Sequence, residues 1–525
     1  MIELPGIVIS SLLVALSMPG MLWGGLIWFA LVPLFFTLEK LSPIKAGFAG
    51  FLFGYIYLMV SHFWVFPVLS VNVPEVLNRF PSFVGVITFF LMGVIMALPF
   101  FGFGVFFSFF SHYFKDKMLI WSVTVAAFFS FLEYLRSVGD LGFTGARLSD
   151  ALVNHTGILQ LSSIGGPLLL IFVIILFNML VFYQVKKLSS WKIKLLTLAA
   201  FFGLVFVVNG VIDRFIPVNI TDMNGKKQVS VIQTNFTQSL KYSDSTDEVF
   251  EVVNNALSQV PEDSVVIMPE ATFMFDIRNS EYGDKLLNIA KAKDFEILIG
   301  FPIYEEKNYN QLRIINDEGF SDDFYAKVRL SPFAEFLPYP SIFGMFEFLK
   351  FLDFFSAGEK FTIFDMKEQK IGAQICFDSY YPEVSRHLVN EGAKLLVIST
   401  NDGWFNIKTG LVQHFSKARM RAVENRIYVI QVSNTGFTGI VDPYGRVLKC
   451  IPSIFENDDE FIIDEFEYVP AEGKTLYASF GAAIPWIFLG ITVLFLIIAF
   501  KYGNNKRYIP VDKEKFLTGQ KNNTK

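Results

Sequence analysis

The chain has 525 residues, of which 53% are hydrophobic, and its mean hydropathy is +0.45. It is too long for one ordinary domain and too apolar for a soluble protein of this size, so a membrane part is predicted. The net charge of -5 and the lack of helix-turn-helix, zinc-finger or RNA-binding patterns argue against nucleic acid as a partner.

Apolar runs of roughly 20 residues, the length with which a helix crosses a bilayer, fill the chain up to about residue 215. With one more run near the C-terminus they predict about eight spans, at approximately Gly6–Leu22, Gly24–Leu38, Ala46–Leu69, Phe83–Phe110, Leu119–Leu135, Leu161–Tyr183, Ile193–Ile212 and Tyr477–Phe500. The first two runs are short and interrupted by Gly and Pro, so a re-entrant hairpin is an alternative there. Without a basic n-region, the N-terminus reads as a membrane segment rather than a cleaved signal peptide.

Lysine and arginine concentrate in alternate connections, for example at Lys40 and Lys45 and again at Lys186 and Lys187. Short cytoplasmic loops carry this excess, so both termini are predicted in the cytoplasm and the long insert before the last run outside it. We therefore expect a membrane domain (1–218), an extracytoplasmic domain (219–470), a final transmembrane helix (471–503) and a cytoplasmic tail (504–525).

The sequence pattern of the insert predicts a soluble α/β domain, because short β-branched runs alternate with helical stretches. The predicted strands are Gln228–Gln233, Ser264–Met268, Glu296–Gly300, Lys370–Cys376, Lys394–Ser399, Arg426–Val432, Phe437–Val441 and Arg446–Lys449. The predicted helices are Asp247–Gln259, Lys285–Lys293 and Gln413–Asn425. This alternation favours a layered domain around a buried sheet.

Three residues at strand ends are candidates for thiol chemistry. Cys376 ends an apolar strand before a turn and a helix, where partial exposure and the helix N-terminus favour a thiolate. Glu270 follows the strand Ser264–Met268, and Lys327 ends an alternating segment. Together they supply a nucleophile, a base and an oxyanion-stabilising cation. Taken singly, each has an ordinary alternative: a buried structural cysteine, a solvated carboxylate and a surface lysine.

A Cys–His dyad is the main competing arrangement. Only His387 and His414 lie away from the predicted spans, and His387 is placed on the helix that follows Cys376, where it cannot easily point back. No GxSxG elbow supports a serine triad. The two cysteines, Cys376 and Cys450, lie in no metal-ligand spacing, so neither a metal nor a cofactor is expected.

The order of Glu270, Lys327 and Cys376 resembles the Glu–Lys–Cys triad of the nitrilase superfamily. An ordered set of motifs is similar, more closely, to the apolipoprotein N-acyltransferase family. The motifs are FLEYLRS (131–137), QLSSIGG (160–166), QTNFTQSLKY (233–242), PEATF (269–273), KVRLSPFAEFLPY (327–339), ICFDSYYPE (375–383), NDGWF (401–405), QHFSKARMRAVENR (413–426) and SNTGFTGIVDPYGR (433–446).

This resemblance implies a polytopic α-helical membrane domain with an inserted nitrilase-like αββα sandwich, in a bacterial cytoplasmic (inner) membrane. It implies Cys376 as nucleophile, Glu270 as general base, Lys327 as oxyanion stabiliser and Glu335 as a supporting carboxylate. The implied reaction moves a fatty acyl chain from a phospholipid to the cysteine as a thioester. The thioester then acylates the α-amine of the N-terminal diacylglyceryl-cysteine of an apolipoprotein, with membrane lipids as surroundings.

Three positions depart from the family pattern and bear on how substrates are held. Phe377 and Asp378 stand where the family usually has Tyr and Glu, and Tyr242 stands where it usually has Trp. Asp378 is one methylene shorter than Glu, and Phe377 lacks a hydroxyl donor.

Two aromatic stretches suit substrates that are amphiphiles. Ile342–Phe355 is interpreted as a membrane-dipping lid, with an ordinary packing helix as the alternative. Trp404 and Phe405 are interpreted as a second such element, with buried loop anchors as the alternative.

Two other functions share parts of this sequence pattern. A membrane-tethered amidase or carbon–nitrogen hydrolase would use the same three residues and release its product to water. A transport or scaffold protein would carry an inactive insert. A transporter often keeps functional charges within its spans, and the scarcity of embedded charges beyond Glu133 and Arg136 argues against this function.

Overall fold

The computed structural model describes residues 4–77, 81–114, 117–188, 190–217, 225–243, 245–345, 355–453 and 460–503. The N-terminal apolar runs form helices. They are α1 (Leu4–Ser17), α2 (Val32–Lys40), α3 (Pro43–Ser61), α4 (Ser82–Ser111), α5 (Met118–Leu135), α6 (Ser162–Lys187) and α7 (Trp191–Arg214). Shorter helical turns lie at Gly24–Trp28, Val65–Pro67, Val68–Asn72, Val73–Leu77, Leu148–Leu152 and Thr156–Leu159.

Six helices of the described residues are long and apolar enough to cross a membrane: α3 to α7 and the C-terminal segment Leu476–Lys501. The other two predicted runs form α1, of 14 residues, and α2, of 9 residues, both below the usual spanning length of about 17 residues. The sequence explains the break between them, because Pro19 and Gly20 follow α1 and Gly20 has a φ of 74° that favours glycine. The described residues therefore contain six helices of spanning length, where the apolar runs predict about eight.

Helices α3 and α4 approach closely because glycines line their contact. A Cβ added to Gly50 would lie 2.2 Å from the carbonyl oxygen of Phe100, and one added to Gly104 would lie 2.0 Å from that of Ala46. Small residues let helix backbones meet in lipid, where packing rather than hydrophobicity drives association. This pair forms a compact centre for the membrane bundle.

The insert folds into two six-stranded sheets. Its strands are β1 (Lys227–Gln233), β2 (Val265–Ile267), β3 (Glu296–Tyr304), β4 (Asn308–Asn316), β5 (Gly319–Ala326), β6 (Ile363–Met366), β7 (Gln369–Ile375), β8 (Leu395–Thr400), β9 (Val429–Ser433), β10 (Thr438–Val441), β11 (Val447–Ile451) and β12 (Ile462–Tyr468). One sheet has the order β12-β1-β2-β3-β4-β5, and the other β11-β10-β9-β8-β7-β6. The central pairs β1/β2, β2/β3, β7/β8 and β8/β9 are parallel.

Helices cover the outer faces of the sheets. They are α9 (Thr246–Gln259) and α10 (Glu281–Lys293) on one sheet and α11 (Pro382–Glu391) and α12 (Lys408–Asn425) on the other. The short helix α8 (Gln238–Lys241) follows β1, and a helical turn lies at Pro340–Phe343. The C-terminal apolar segment is formed by α13 (Leu476–Phe480) and α14 (Ile484–Gly503). Along β1, Val229 and Val231 join the core between the sheets, whereas Ile232 joins the core under α9 and α10. This alternation produces the αββα sandwich, which confirms the predicted nitrilase-like fold class. The eight predicted strands do not include β4, β5, β6 and β12, which pair at or near the sheet edges, although the alternating segment that Lys327 ends coincides with β5.

A loop of the membrane part is bound to the turn that follows Cys376. The Thr144 hydroxyl donates to the carbonyl oxygen of Tyr380 at 2.6 Å, and the Tyr381 hydroxyl donates to that of Gly142 at 2.5 Å. Between them, the ring of Phe143 stacks on Phe377 with centroids 5.6 Å apart and planes 5° apart. The two parts of the chain therefore share a packed interface at this turn.

Buried ion pairs extend this interface. Arg136 binds both carboxylate oxygens of Glu133, at 2.8 and 2.9 Å, and donates to the carbonyl oxygen of Gly145 at 2.9 Å. Further along, Lys417 of α12 binds Asp150 at 2.7 Å. Glu133 and Arg136 therefore hold the loop that contacts the catalytic domain.

We expect Thr144→Val to lower the midpoint of thermal unfolding of the detergent-solubilised full chain, because the Tyr380 carbonyl loses a hydrogen bond worth about 0.5–1.5 kcal/mol. Thr246→Val, at the start of α9 where no side-chain cap is formed, is the matched control. Equal midpoints for the two variants would contradict a stabilising role for the loop contact.

Candidate active site

The candidate residues meet because their strands end at one edge of the sandwich. Glu270 follows β2, Lys327 directly follows β5, and Cys376 directly follows β7. Functional groups of α/β domains gather outside the carboxyl ends of parallel strands, and β2 and β7 each end there. The order predicted from sequence therefore becomes a single cluster.

Lys327 lies between two carboxylates and is buried, with 2% of its surface exposed. Its Nζ is 3.2 Å from Oε1 of Glu270 and 2.9 Å from Oε1 of Glu335. Asn310 of β4 donates to the same two oxygens, at 2.8 and 3.1 Å. The second oxygen of Glu270 accepts from the backbone N–H of Asn401 at 2.9 Å, so this carboxylate is held from both sheets.

The charges of this cluster fix its protonation. Burial alone would lower the pKa of Lys327, but Glu270 and Glu335 raise it well above its usual range, so the side chain stays an ammonium. Burial and then Glu270 raise the pKa of the Cys376 thiol well above its usual range, and Lys327 opposes this. The resting thiol therefore keeps its proton, and a base must remove it before it can attack.

Cys376 has a left-handed backbone, with a φ of 47°, which is uncommon for a residue with a side chain. It begins the 3-10 turn Cys376–Tyr380, and its carbonyl oxygen accepts from the Ser379 hydroxyl at 2.7 Å. Such backbone conformations concentrate at functional sites, where surrounding contacts hold them. The thiol is half-buried at this elbow, as the strand-to-helix position predicts.

Asp378 joins the Cys376 turn to the segment that carries Lys327. Its carboxylate accepts from the Tyr325 hydroxyl at 2.8 Å and from the backbone N–H groups of Arg329 at 2.7 Å and Ile375 at 3.0 Å. Burial nevertheless raises its pKa to about 6. The shorter Asp side chain reaches all three donors, and these contacts hold the Cys376 turn against the segment that carries Lys327.

The remaining predicted residues lie towards the membrane part. The Trp404 carbonyl accepts from Nδ2 of Asn72 at 2.8 Å, and Phe405 packs on Trp64 with centroids 4.7 Å apart. The ring of Tyr242 lies 5.6 Å from that of Trp404 and is 42% exposed. Trp404 and Phe405 are half-buried, and both contact the membrane part of the chain.

Most of the predicted lid, Ile342–Phe355, lies outside the described residues, from 346 to 354. At its start, Ile342 and Met345 are 54% and 72% exposed. Next to it, the backbone N–H of Tyr339 donates to Asp140 of the membrane loop at 2.8 Å.

The sequence reading set aside His414, yet the structure brings it to the thiol. A ring nitrogen of His414, a carboxylate oxygen of Asp402 and the Cys376 Sγ all lie within 4.8 Å of one another. His387 instead stacks on Phe361, with centroids 4.6 Å apart. The signal for this pair was its place in two quoted motifs, NDGWF and QHFSKARMRAVENR.

Lys241 was also missed, although its motif QTNFTQSLKY was quoted. It is 4% exposed and donates to the backbone carbonyl of Glu270 at 3.3 Å, and burial lowers its pKa to about 7. It therefore borders the predicted base from the side of β1.

An αββα sandwich with a buried carboxylate–lysine–cysteine cluster, joined to apolar helices, defines the class as a membrane protein with a carbon–nitrogen hydrolase domain. Comparison with known proteins agrees. The carbon-nitrogen hydrolase family model matches residues 247–457, and the model of the apolipoprotein N-acyltransferase N-terminal domain matches residues 10–180.

Curated relatives extend the match over most of the chain. An apolipoprotein N-acyltransferase from Thermotoga maritima is 40% identical over 494 residues, which cover 94% of this chain and 92% of that protein. The one from Geobacter metallireducens is 24% identical, and the match covers 94% of this chain and 94% of that protein. The one from Aquifex aeolicus is 28% identical, and the match covers 78% of this chain and 95% of that protein. The chain belongs to the apolipoprotein N-acyltransferase family.

We expect Glu335→Ala to lower the free energy of unfolding by about 1–3 kcal/mol, because it leaves the Ser331 N–H without its acceptor and Lys327 with one carboxylate. Glu383→Ala is the control, since Glu383 and its partner Arg329 are 32% and 37% exposed and such pairs contribute less than about 1 kcal/mol. Denaturant unfolding of the full chain measures both. A smaller effect for Glu335→Ala than for the control would contradict the buried role.

Proposed function

We propose that this chain is the acyltransferase that moves a fatty acyl chain from a phospholipid to the α-amine of the N-terminal diacylglyceryl-cysteine of apolipoproteins. Glu270, Lys327 and Cys376 carry the chemistry, and Glu335 supports them. The observation that carries the proposal is the buried Glu270–Lys327 pair beside the Cys376 elbow. Family membership supports a role for this cluster in lipoprotein maturation.

In the first half-reaction, Glu270 takes the thiol proton as Sγ attacks the ester carbonyl of the phospholipid. The tetrahedral oxyanion is stabilised by the ammonium of Lys327 and a backbone N–H near Cys376. The intermediate then expels the lysophospholipid alkoxide, which takes the proton from Glu270. The acyl chain remains on Cys376 as a thioester.

In the second half-reaction, the neutral α-amine of the acceptor attacks the thioester carbonyl. Glu270 accepts a proton from the attacking nitrogen, and the thiolate leaves as the amide forms. Returning that proton to the thiolate restores Cys376. Because Lys327 stays charged throughout, it stabilises the oxyanion in both halves and exchanges no proton.

The proposed placement is a bacterial cytoplasmic (inner) membrane with the catalytic domain outside the cytoplasm. We propose the membrane domain as 1–218, the catalytic domain as 219–470, the last span as 471–503 and a cytoplasmic tail as 504–525. Contacts of the turn after Cys376 with Thr144, Gly142 and Phe143 support an active site next to the bilayer surface, where both amphiphilic substrates lie.

A membrane-tethered carbon–nitrogen hydrolase is the second candidate, because the hydrolase family model covers most of the inserted domain. Both activities begin with an acyl-cysteine and differ in whether an amine or water receives the acyl group. Incubation with phospholipid and a diacylglyceryl-cysteine peptide separates them. Acylated peptide supports transfer, whereas free fatty acid formed at the same rate with and without peptide supports hydrolysis.

We expect Cys376→Ala and Cys376→Ser to abolish transfer while the protein stays folded, because no other described thiol lies at the cluster. Acylated peptide is measured by mass spectrometry, and the thermal midpoint reports folding. Cys450→Ser, on the exposed strand β11, is the matched control and should retain activity. Full activity of the Cys376 variants would overturn the mechanism.

We expect incubation with phospholipid alone to leave one acyl adduct on Cys376, because the thioester persists until an amine arrives. Intact-protein and peptide mass spectrometry locate the adduct, and neutral hydroxylamine should release it. An adduct on Cys450, or none, counts against the ping-pong sequence.

A further inference from the structure

Asp402 and His414 form a fully buried pair under the Cys376 elbow. Nδ1 of His414 lies 2.7 Å from Oδ1 of Asp402. Asp402 is 1% exposed and His414 is 0% exposed. The Thr400 hydroxyl donates to the same Oδ1 at 2.9 Å. The other oxygen, Oδ2, has no hydrogen-bond donor among the described residues, so the carboxylate is only partly satisfied.

The other side of the imidazole faces the nucleophile. Its Nε2 lies 3.2 Å from the carbonyl oxygen of Cys376 and 3.0 Å from the Ser379 hydroxyl. A carboxylate oxygen of Asp402 lies within 4.8 Å of the Cys376 Sγ. At this distance an uncompensated carboxylate opposes formation of a thiolate, and Asp402 raises the pKa of Cys376.

We infer that Asp402 and His414 are a proton-bearing positioning pair: the imidazolium form of His414 cancels the charge of Asp402 beside the thiol and donates its Nε2–H to the Cys376 carbonyl. The inference rests on the proposed role of Cys376 and adds two residues to it. The pair holds its proton, and Glu270 remains the base that moves one.

The surroundings of His414 are consistent with a charged ring. Burial lowers its pKa, but Asp402, the Cys376 carbonyl and the more distant Glu270 outweigh burial, so the pKa is raised. The ring stacks on Tyr380 with centroids 5.4 Å apart, and Phe405 packs on it at 6.2 Å. Lys417 on the same helix, α12, is bound to Asp150 instead.

The net charge of the pair predicts a distinctive pattern among variants. The native pair has no net charge, and His414→Gln leaves one negative charge. Asp402→Asn removes the carboxylate that keeps the buried His414 protonated, so this variant, once His414 has given up its proton, and the double variant again have none. Only His414→Gln should therefore shift the ionisation midpoint of the Cys376 thiol upward. Its alkylation should slow about tenfold at a fixed pH below the midpoint, which is the effect of one pKa unit.

The experiment measures the rate of Cys376 alkylation by iodoacetamide against pH, in the full chain with Cys450→Ser, by intact-protein mass spectrometry. The expected result is a raised midpoint in His414→Gln and native midpoints in Asp402→Asn and in Asp402→Asn/His414→Gln. If His414 were neutral, His414→Gln would match the native protein, while the other two would have lowered midpoints. That pattern, or four equal midpoints, would overturn the inference.

Folding is checked by the thermal midpoint of each variant. If His414→Gln does not fold, the double variant still decides, since a lowered midpoint there contradicts a charged His414 and a native one agrees with it. The phospholipid adduct tests the proposed function separately. An adduct on Cys376 together with equal alkylation midpoints leaves the acyltransferase mechanism standing and removes only the role of the pair.

Discussion

The structure depends on one buried cation. Lys327 is placed between Glu270 and Glu335, and a buried ammonium is tolerated only when carboxylates and hydrogen bonds replace the water it has lost. The same contacts bring the ends of β2 and β5 together with the loop that carries Glu335. They also keep a positive charge beside Cys376, which favours the ionised form of its thiol. Stability of the cluster and reactivity of the cysteine therefore come from the same contacts.

Much of this arrangement was readable from the sequence because it follows the chain locally. The strands that precede Glu270 and Cys376 are β-branched runs, and the turn residues after them mark where each ends. The sheets place such ends together, so the order of the candidates became a spatial cluster. The apolar runs likewise identified the helices, because residues that face lipid or the bundle core leave few polar positions.

The missed features depend on contacts between distant segments. Strands β4, β5, β6 and β12 lie at or near sheet edges. Strands β5, β6 and β12 have exposed polar positions, and the buried run of β4 contains Asn310, Gln311 and Arg313, so the apolar run that marks a buried strand is missing. His414 lies on a helix that begins after the NDGWF loop, and only the packing of α12 against the Cys376 turn brings it to the thiol. Spacing along the chain excludes His387 as a partner of Cys376. It does not reveal that α12, which follows β8, packs back against the Cys376 turn.

The loop of Gly142, Phe143 and Thr144 has a consequence for which molecules can react. It follows α5, a helix of spanning length, and it contacts the backbone of the turn after Cys376 and the ring of Phe377. These three contacts, together with those that Asn72, Asp140 and Asp150 make to the catalytic domain, therefore set the height of the sulfur above the helix bundle. In the proposed reaction this height would select substrates by depth: an ester or an amine would react only if its own anchorage in lipid carried it to that level, whatever polypeptide or head group lies beyond.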